Sequence, residues 1–502
     1  MLSMPSVVSA AGQQARISIG NSNDNQLSLG LRADPVAKIA ATTSVSISKG
    51  SSSNVALALA ELPPNYFIMN DEPSTIWSFP KRLGFRFLFS VVMLSILEPF
   101  GLFGQMIGLA KIAGPWEWLV KWVGQQVFHV KITVMPNGSG DTTFNYVEVF
   151  CWVVLAIAIT LVWSVLDRRR RDYARLSDAL RLVVRGYLAL AMLSYGMNKL
   201  VPLQFGSLRL AEMVQPIGEQ SPMGLLWRFM AASPAYTMFT GFAEVLSAYL
   251  LLFRRTTMLG APLCAGVMAH VVALNFCYDV PVKLFSSRLF LLSLLLLAPD
   301  LKRLWRFFIL HEAIEPQVFP PRLHAGKNRA VALALKVIVL VLYPVMVLLN
   351  TSPMWLPKLT SAPRNPLQGI WIVDEFKRDN QVLSPLTTDK QRWNHLIIEG
   401  VHFPGIDAST IGVITPMSDT SDGHWQKCAI DEARHTLTLT PFNKKKDRSA
   451  SLTFTQPKPD QLVLTGTCDG KPMEARLHRI PDAKLPLLSR GFHWINEYPF
   501  SN

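Results

Sequence analysis

The chain has 502 residues, of which half are hydrophobic and only 17% are charged, with a mean hydropathy of +0.25. Soluble globular chains carry roughly 25% charged residues, so this composition counts against a wholly water-soluble protein and points to lipid as part of the solvent. The formal charge is +14 and the pI about 9.6. The basic residues gather at the ends of apolar runs, at Arg168 to Arg171, Arg254-Arg255 and Lys302-Arg303, which fits membrane orientation signals. No helix-turn-helix, zinc-finger or RNP-like pattern accompanies them, so no nucleic-acid partner is expected.

Residues 1–60 are rich in Ser, Ala, Asn and Gly. They cannot bury enough surface to offset chain entropy, so a disordered segment is expected. They lack the basic start and continuous apolar core of a signal peptide, which leaves targeting to the first transmembrane helix. A helical transmembrane domain is expected over residues 61–350. Its first apolar run, Leu83 to Ala110, is interrupted by Glu98-Pro99. A kink is predicted there, with the Glu98 carboxylate satisfying backbone donors that the proline frees. Trp116, Trp118 and Trp122 then form an amphipathic stretch of the kind that lies at a membrane interface. Six more runs follow, Glu148–Leu166, Leu182–Leu203, Ala235–Phe253, Thr257–Val280, Leu284–Pro299 and Ala330–Leu349. Most are near the roughly 20 residues a crossing needs. With seven crossings every basic cluster falls on one side, which the positive-inside rule makes cytoplasmic. The N-terminus is then inside and the C-terminal part outside.

Residues 369–482 change character. Short β-branched runs such as Ile370-Trp371-Ile372-Val373 and Leu462-Val463-Leu464-Thr465 are separated by Gly, Pro, Asn and Asp, which predicts strands. The expected fold is therefore an α-helical polytopic membrane bundle followed by a small all-β domain, a meander barrel or a sandwich, with residues 483–502 as a tail. None of the five cysteines forms a CxxC. Cys428 and Cys468 share the β domain and are a disulfide candidate if it lies outside the cytosol, or else two buried thiols. His395, His402, His424 and His435 follow no standard zinc spacing, so no metal is expected. No phosphate-binding glycine loop or GxSxG elbow is present.

Ionisable groups within apolar helices cost several kcal/mol unless paired or hydrated. Glu98, Lys199, Glu244, His270 and Asp279 stand out on that ground, and with the polar Asn275 the candidate pocket is Lys199, Glu244, His270, Asn275 and Asp279. The last three are spaced by five and four residues, on roughly one helix face. They predict a polar pocket that opens outward between the third, fourth and fifth helices. The plainer alternatives are a Lys199–Glu244 ion pair that locks two helices, or a snorkelling Lys199, an ordinary packed His270, and an interfacial Asp279–Lys283 pair.

The segment Tyr195-Gly196-Met197-Asn198-Lys199-Leu200 resembles the Gly-x-x-Lys-Leu helix end of DoxX-like membrane proteins, and Gly241-Phe242-Ala243-Glu244-Val245 resembles their Gly-x-x-Glu helix. The likeness covers about residues 180–300. A weaker similarity is to the horizontally transferred transmembrane family related to vitamin K-dependent carboxylases, without a diagnostic carboxylase motif. The DoxX-like resemblance implies a bacterial inner-membrane protein, an accessory or quinone-interacting subunit of a membrane redox system. Its partners would be the lipid bilayer, a quinone, and a membrane or extracytoplasmic redox protein. Glu244 would carry a proton, Lys199 and His270 would orient a quinone carbonyl, and Tyr195, Phe242 and Tyr278 would supply an apolar slot. The alternative is a non-catalytic scaffold that presents the β domain to a partner.

Overall fold

The structure is a computed structural model. It describes residues 15–20, 26–31, 76–99, 111, 113–134, 139–201, 203–314, 330, 333–334, 337–359, 365–400, 411–417, 424–442, 449–491, 493–495 and 497. Residues 1–76 and 77–502 are separate compact units. In the first, β1 (Ala15–Gly20) pairs antiparallel with β2 (Gln26–Leu31) inside the segment expected to be disordered. The rest of that segment, the second half of the first apolar run (100–110) and His402 lie outside the described residues.

The second unit begins with the helices α1 (Phe79–Ile96), α2 (Ala113–Val127), α3 (Thr143–Leu166) and α4 (Ala174–Leu200). The short α5 (Leu210–Met213) and α6 (Pro222–Ala232) follow, then α7 (Pro234–Leu252), α8 (Thr257–Cys277), α9 (Lys283–Leu297), α10 (Leu301–Phe308) and α11 (Tyr343–Leu359). Four stretches are long and apolar enough to cross a membrane: Thr143–Leu166, Pro234–Leu252, Thr257–Cys277 and Lys283–Phe308. In hydrocarbon every backbone polar group must be satisfied within the segment, which leaves these runs no alternative to a helix. A capping box starts α3, where the Asn145 side chain accepts from the Thr142 backbone N–H at 3.1 Å. Serine followed by proline starts both α6 and α7. Ser221 Oγ accepts from the Gly224 amide, and Ser233 Oγ from that of Tyr236, while the proline supplies a pre-set first helical residue.

The helical core centres on α4, whose Leu188, Ala189 and Leu193 are fully buried against α1, α7, α8 and α9. The two ends of the bundle are tied by contacts distant in sequence. At one end the Trp77 amide bonds the Arg171 carbonyl. There Arg86, 2% exposed, donates to the Tyr173 hydroxyl, the Ser164 hydroxyl and the Asp167 carbonyl. At the other end the Asp141 carboxylate accepts from the amides of Lys283 and Leu284 at 2.7 and 2.9 Å. It thereby caps α9 with negative charge at the positive end of the helix dipole.

Two local expectations change. Glu98 has a side-chain partner distant in sequence. Its carboxylate takes both outer nitrogens of Arg288 at 2.9 and 3.0 Å, because a bidentate ion pair offers a membrane-buried carboxylate more than scattered amides do. Trp116 is not simply an interface residue, since its indole N–H donates to the buried Glu148 at 2.6 Å. Trp118 and Trp122 are exposed and stacked on each other, with ring centroids 6.4 Å apart.

The C-terminal part is a closed eight-stranded antiparallel barrel. Its strands are β3 (Gly369–Arg378), β5 (Trp393–Glu399), β6 (Ile411–Pro416), β7 (His424–Asp431), β8 (Thr436–Pro441), β9 (Ala450–Lys458), β10 (Gln461–Cys468) and β11 (Lys471–Arg479). The short β4 (Gln381–Val382) pairs beside β3. Each strand pairs with its neighbour in sequence and β11 returns to β3, so the barrel is a meander and not a sandwich. Trp371, Phe376, Trp393, Leu396, Leu462 and Leu464 fill its interior. At one end Arg392, 2% exposed, donates to the carbonyls of Leu383, Trp393, Val373 and Asp374.

Cys428 and Cys468 are both buried in this interior, and no disulfide joins them. The disulfide does not form, for a geometric reason. The register runs Cys428–Leu439–Ala450–Cys468 across four strands. Three strand spacings of about 4.8 Å separate the two cysteines along the sheet, whereas a disulfide needs Cα atoms within roughly 7 Å.

The outer face of β3, β5 and β6 is covered by the chain around α5. Ile370, Ile397, Ile411 and Val413 pack against Leu210, Ala211, Met213 and Val214. Glu399 Oε2 accepts from the Leu210 amide at 2.9 Å, and the Arg209 guanidinium sits over the Trp425 ring at 5.2 Å.

Candidate functional site

α4 and α7 approach each other closely at a pair of glycines. Gly196 and Gly241 have no side chains to hold the helices apart, and a Cβ on either would stand 2.8 Å from the other's carbonyl oxygen. Gly196 lies near the end of α4 and Gly241 in the first half of α7, so the two helices run antiparallel. Lys199 and Glu244 each lie three residues after their glycine, about one turn on. Side chains on a helix lean toward its N-terminus, which carries the Lys199 stem back along α4 to Glu244. Its Nζ donates to Glu244 Oε1. The pair is buried, at 7% and 3% exposure. Among the described residues Glu244 Oε2 has no hydrogen-bond partner.

This pair opens onto a cavity of about 750 Å³. Ligand sites are typically 300–1,000 Å³, mainly apolar with a few convergent polar groups. Here Lys199, Glu244, His270 and Asn275 all line one space. Asn275 is buried and donates to Ser286 Oγ at 2.9 Å, which fixes it on α9. His270 is on the exposed side of α8.

Asp279 does not join them. The helical count that aligned it with Asn275 breaks because α8 ends at Cys277 and Asp279 takes a left-handed φ of 49°. Its side chain is 82% exposed and pairs with Lys283 at 2.8 Å, an exposed contact worth little. Of the expected aromatic slot only Tyr195 lines the cavity. Phe242 and Tyr278 do not, and Phe205, Trp227, Phe229, Tyr236, Phe239 and Phe285 do.

Two parts of the site were missed in the sequence. The first is the connection between α4 and α7, from which Gln204, Phe205, Met223, Leu226, Trp227, Phe229 and Met230 line the cavity. Its signal was the pair of Ser-Pro helix starts, which mark a structured connection between two spans and not a plain loop. The second is Arg288, which is packed directly behind the cavity residue Phe285, 5.0 Å from its ring. Besides Glu98 it donates to the Ser95 carbonyl and the Tyr187 hydroxyl. A lone arginine inside a leucine-rich run was the available clue. Among the described residues no group of three or more His, Cys, Asp or Glu could hold a metal ion.

The fold and this site define a polytopic helical membrane protein with an internal, largely apolar cavity and an appended β-barrel. No family profile and no solved structure matches the chain. An uncharacterized protein of Bacillus subtilis (strain 168), YwoB, is 34% identical over 126 residues, which cover 25% of this chain and 79% of that protein. The chain belongs to the family of that protein.

Proposed function

We propose that the protein binds a quinone in the cavity between α4, α7 and α8, as an accessory or quinone-interacting subunit of a membrane redox system. The carrying observation is the cavity of about 750 Å³, lined mostly by apolar side chains and holding the Lys199–Glu244 pair. A quinone ring needs such a slot, and its oxygens need a donor and a proton route. Lys199 supplies the donor and Glu244 the carboxylate. The DoxX-like resemblance of the two Gly-x-x-charge segments points the same way.

The cellular address we propose is a bacterial inner membrane, with seven crossings, the N-terminus cytoplasmic and the barrel outside. The long-range contacts support this arrangement. Trp77 meets Arg171 at the basic end, and Asp141 meets Lys283 at the other. The barrel meets Leu210 just beyond the Lys199 end of α4. Four crossings between residue 210 and the barrel, by α7, α8, α9 and the helix ending at Leu359, would fit that contact.

The test is organic extraction of the purified protein followed by mass spectrometry. A quinone is expected with the native chain and is expected to be lost in Lys199→Met/Glu244→Gln, where both charges go together and no unpaired charge is left buried. A folded double variant that retains the native amount of quinone would overturn the proposal.

A further inference from the structure

Several residues that line the cavity also face outward. On α6 and α7, Phe229 is 59% exposed, Tyr236 39% and Phe239 65%. Their rings follow one another at 5.7 and 6.4 Å, in an unbroken row. On α8, Gly266 and His270 are also both exposed and cavity-lining. A residue that lines a cavity and is exposed on the outer surface of a spanning helix stands at an opening, and α7 and α8 are both long and apolar enough to span. Gly266 marks the gap itself. A Cβ there would meet nothing within 4 Å, whereas one on Gly260, six residues earlier, would press on Leu250. The opening therefore faces lipid, between α7 and α8.

At the inner end of the same cavity lies Glu244. Its Oε1 is taken by Lys199, and its Oε2 is buried with no partner among the described residues. An ionised carboxylate only accepts hydrogen bonds. A buried acceptor left unmet is costly, so the complement it calls for is a donor.

We infer that the cavity is loaded sideways from the bilayer, and that its preferred ligand is a lipid-phase molecule whose head group donates an O–H hydrogen bond to Glu244 Oε2. Taken with the quinone reading, on which this rests for the head group's identity, the site selects the reduced form. A quinol carries two hydroxyl donors, and a quinone carries only carbonyl acceptors. A site built around a hydrogen bond discriminates strongly against an analogue that lacks it.

The experiment uses the full chain in lipid nanodiscs under anaerobic conditions. Equilibrium binding is measured for a decyl-tailed benzoquinone, its quinol, and the dimethyl ether of that quinol. The quinol is expected to bind at least about tenfold more tightly than the other two, the scale of one charge-assisted hydrogen bond. Gly266→Leu places its Cβ in open space and is expected to weaken all three by a similar factor with no drop in thermal stability. Equal binding of the three, or tighter binding of the quinone, overturns the donor preference and leaves the quinone reading standing. Undiminished binding by Gly266→Leu overturns the sideways loading. Binding of none of them overturns the quinone reading itself.

Discussion

The backbones of Gly196 and Gly241 touch, each so placed that a Cβ on one would stand 2.8 Å from the carbonyl oxygen of the other. Backbone atoms, which cannot swing aside, stand among the nearest neighbours of each: the Gly241 carbonyl oxygen and the Val245 nitrogen at Gly196, and the Gly196 carbonyl oxygen and the Leu200 nitrogen at Gly241. Gly196→Val or Gly241→Val must push α4 and α7 apart and separate Lys199 from Glu244. Overpacking of this kind costs about 1–3 kcal/mol or more. Gly186→Ala, on the same α4, would meet nothing within 4 Å and gains helix propensity. Thermal unfolding in detergent is expected to fall clearly for the first two and to hold or rise for the third.

The ion pair predicts strong non-additivity. Lys199→Met or Glu244→Gln alone leaves a buried group without its partner, which typically costs about 3–5 kcal/mol when one charge of a buried pair is removed. The double variant exchanges the pair for neutral groups and is expected to recover most of that loss. A double-mutant cycle read by denaturant unfolding checks it. Additive losses would show that the two side chains do not act as a pair.

On strand β5, two residues four apart pull stability in opposite directions with pH. Burial pushes the His395 imidazole down to about 4. Its contribution is full above the ordinary histidine value of roughly 6.5 and is lost as pH falls through about 4. Burial pushes the Glu399 carboxyl up, against the Leu210 amide and Arg209 that hold it down, with Glu212 adding a smaller push upward. That contribution is full below the ordinary carboxylate value and is lost as pH rises through the raised one. Glu399→Gln is therefore expected to stabilise the barrel's contact with α5 near neutral pH, and His395→Gln to flatten the acid limb. Amide exchange at Leu210 across a pH series reads the first, and barrel unfolding reads the second.

Cys428 and Cys468 predict a chemical silence. The Cys428 thiol is pushed up to about 12 by burial, and thiolate is the reactive form. Brief alkylation of the folded protein is expected to modify Cys277, which is exposed, and to spare both barrel cysteines. Unfolding should release them without any reductant, as counted by peptide mass spectrometry.

Much of the bundle was legible because its signals are local. Apolar length gives spans, and basic clusters give their ends. The three-residue spacing from Gly196 to Lys199 and from Gly241 to Glu244 puts each charge about one turn beyond a small residue. The strands of the β domain were legible as short β-branched runs set between turn residues, but barrel closure was not. The β11–β3 pairing joins chain segments about a hundred residues apart, and nothing in either strand alone announces its partner. The same limit hid the partner of Glu98. Arg288 is 190 residues away, so a nearby proline was the only explanation in reach. Asp279 failed for the opposite reason, since periodicity was carried two residues past the point where the helix ends.

Gln204, Phe205 and residues of the Met223–Met230 segment line one side of the cavity, and in the chain between them Leu210 is fastened to Glu399 of the barrel. The barrel thus grips the cavity wall from outside without reaching its contents. A soluble protein that took hold of the barrel would be holding a handle, and the other end of that handle is in the membrane.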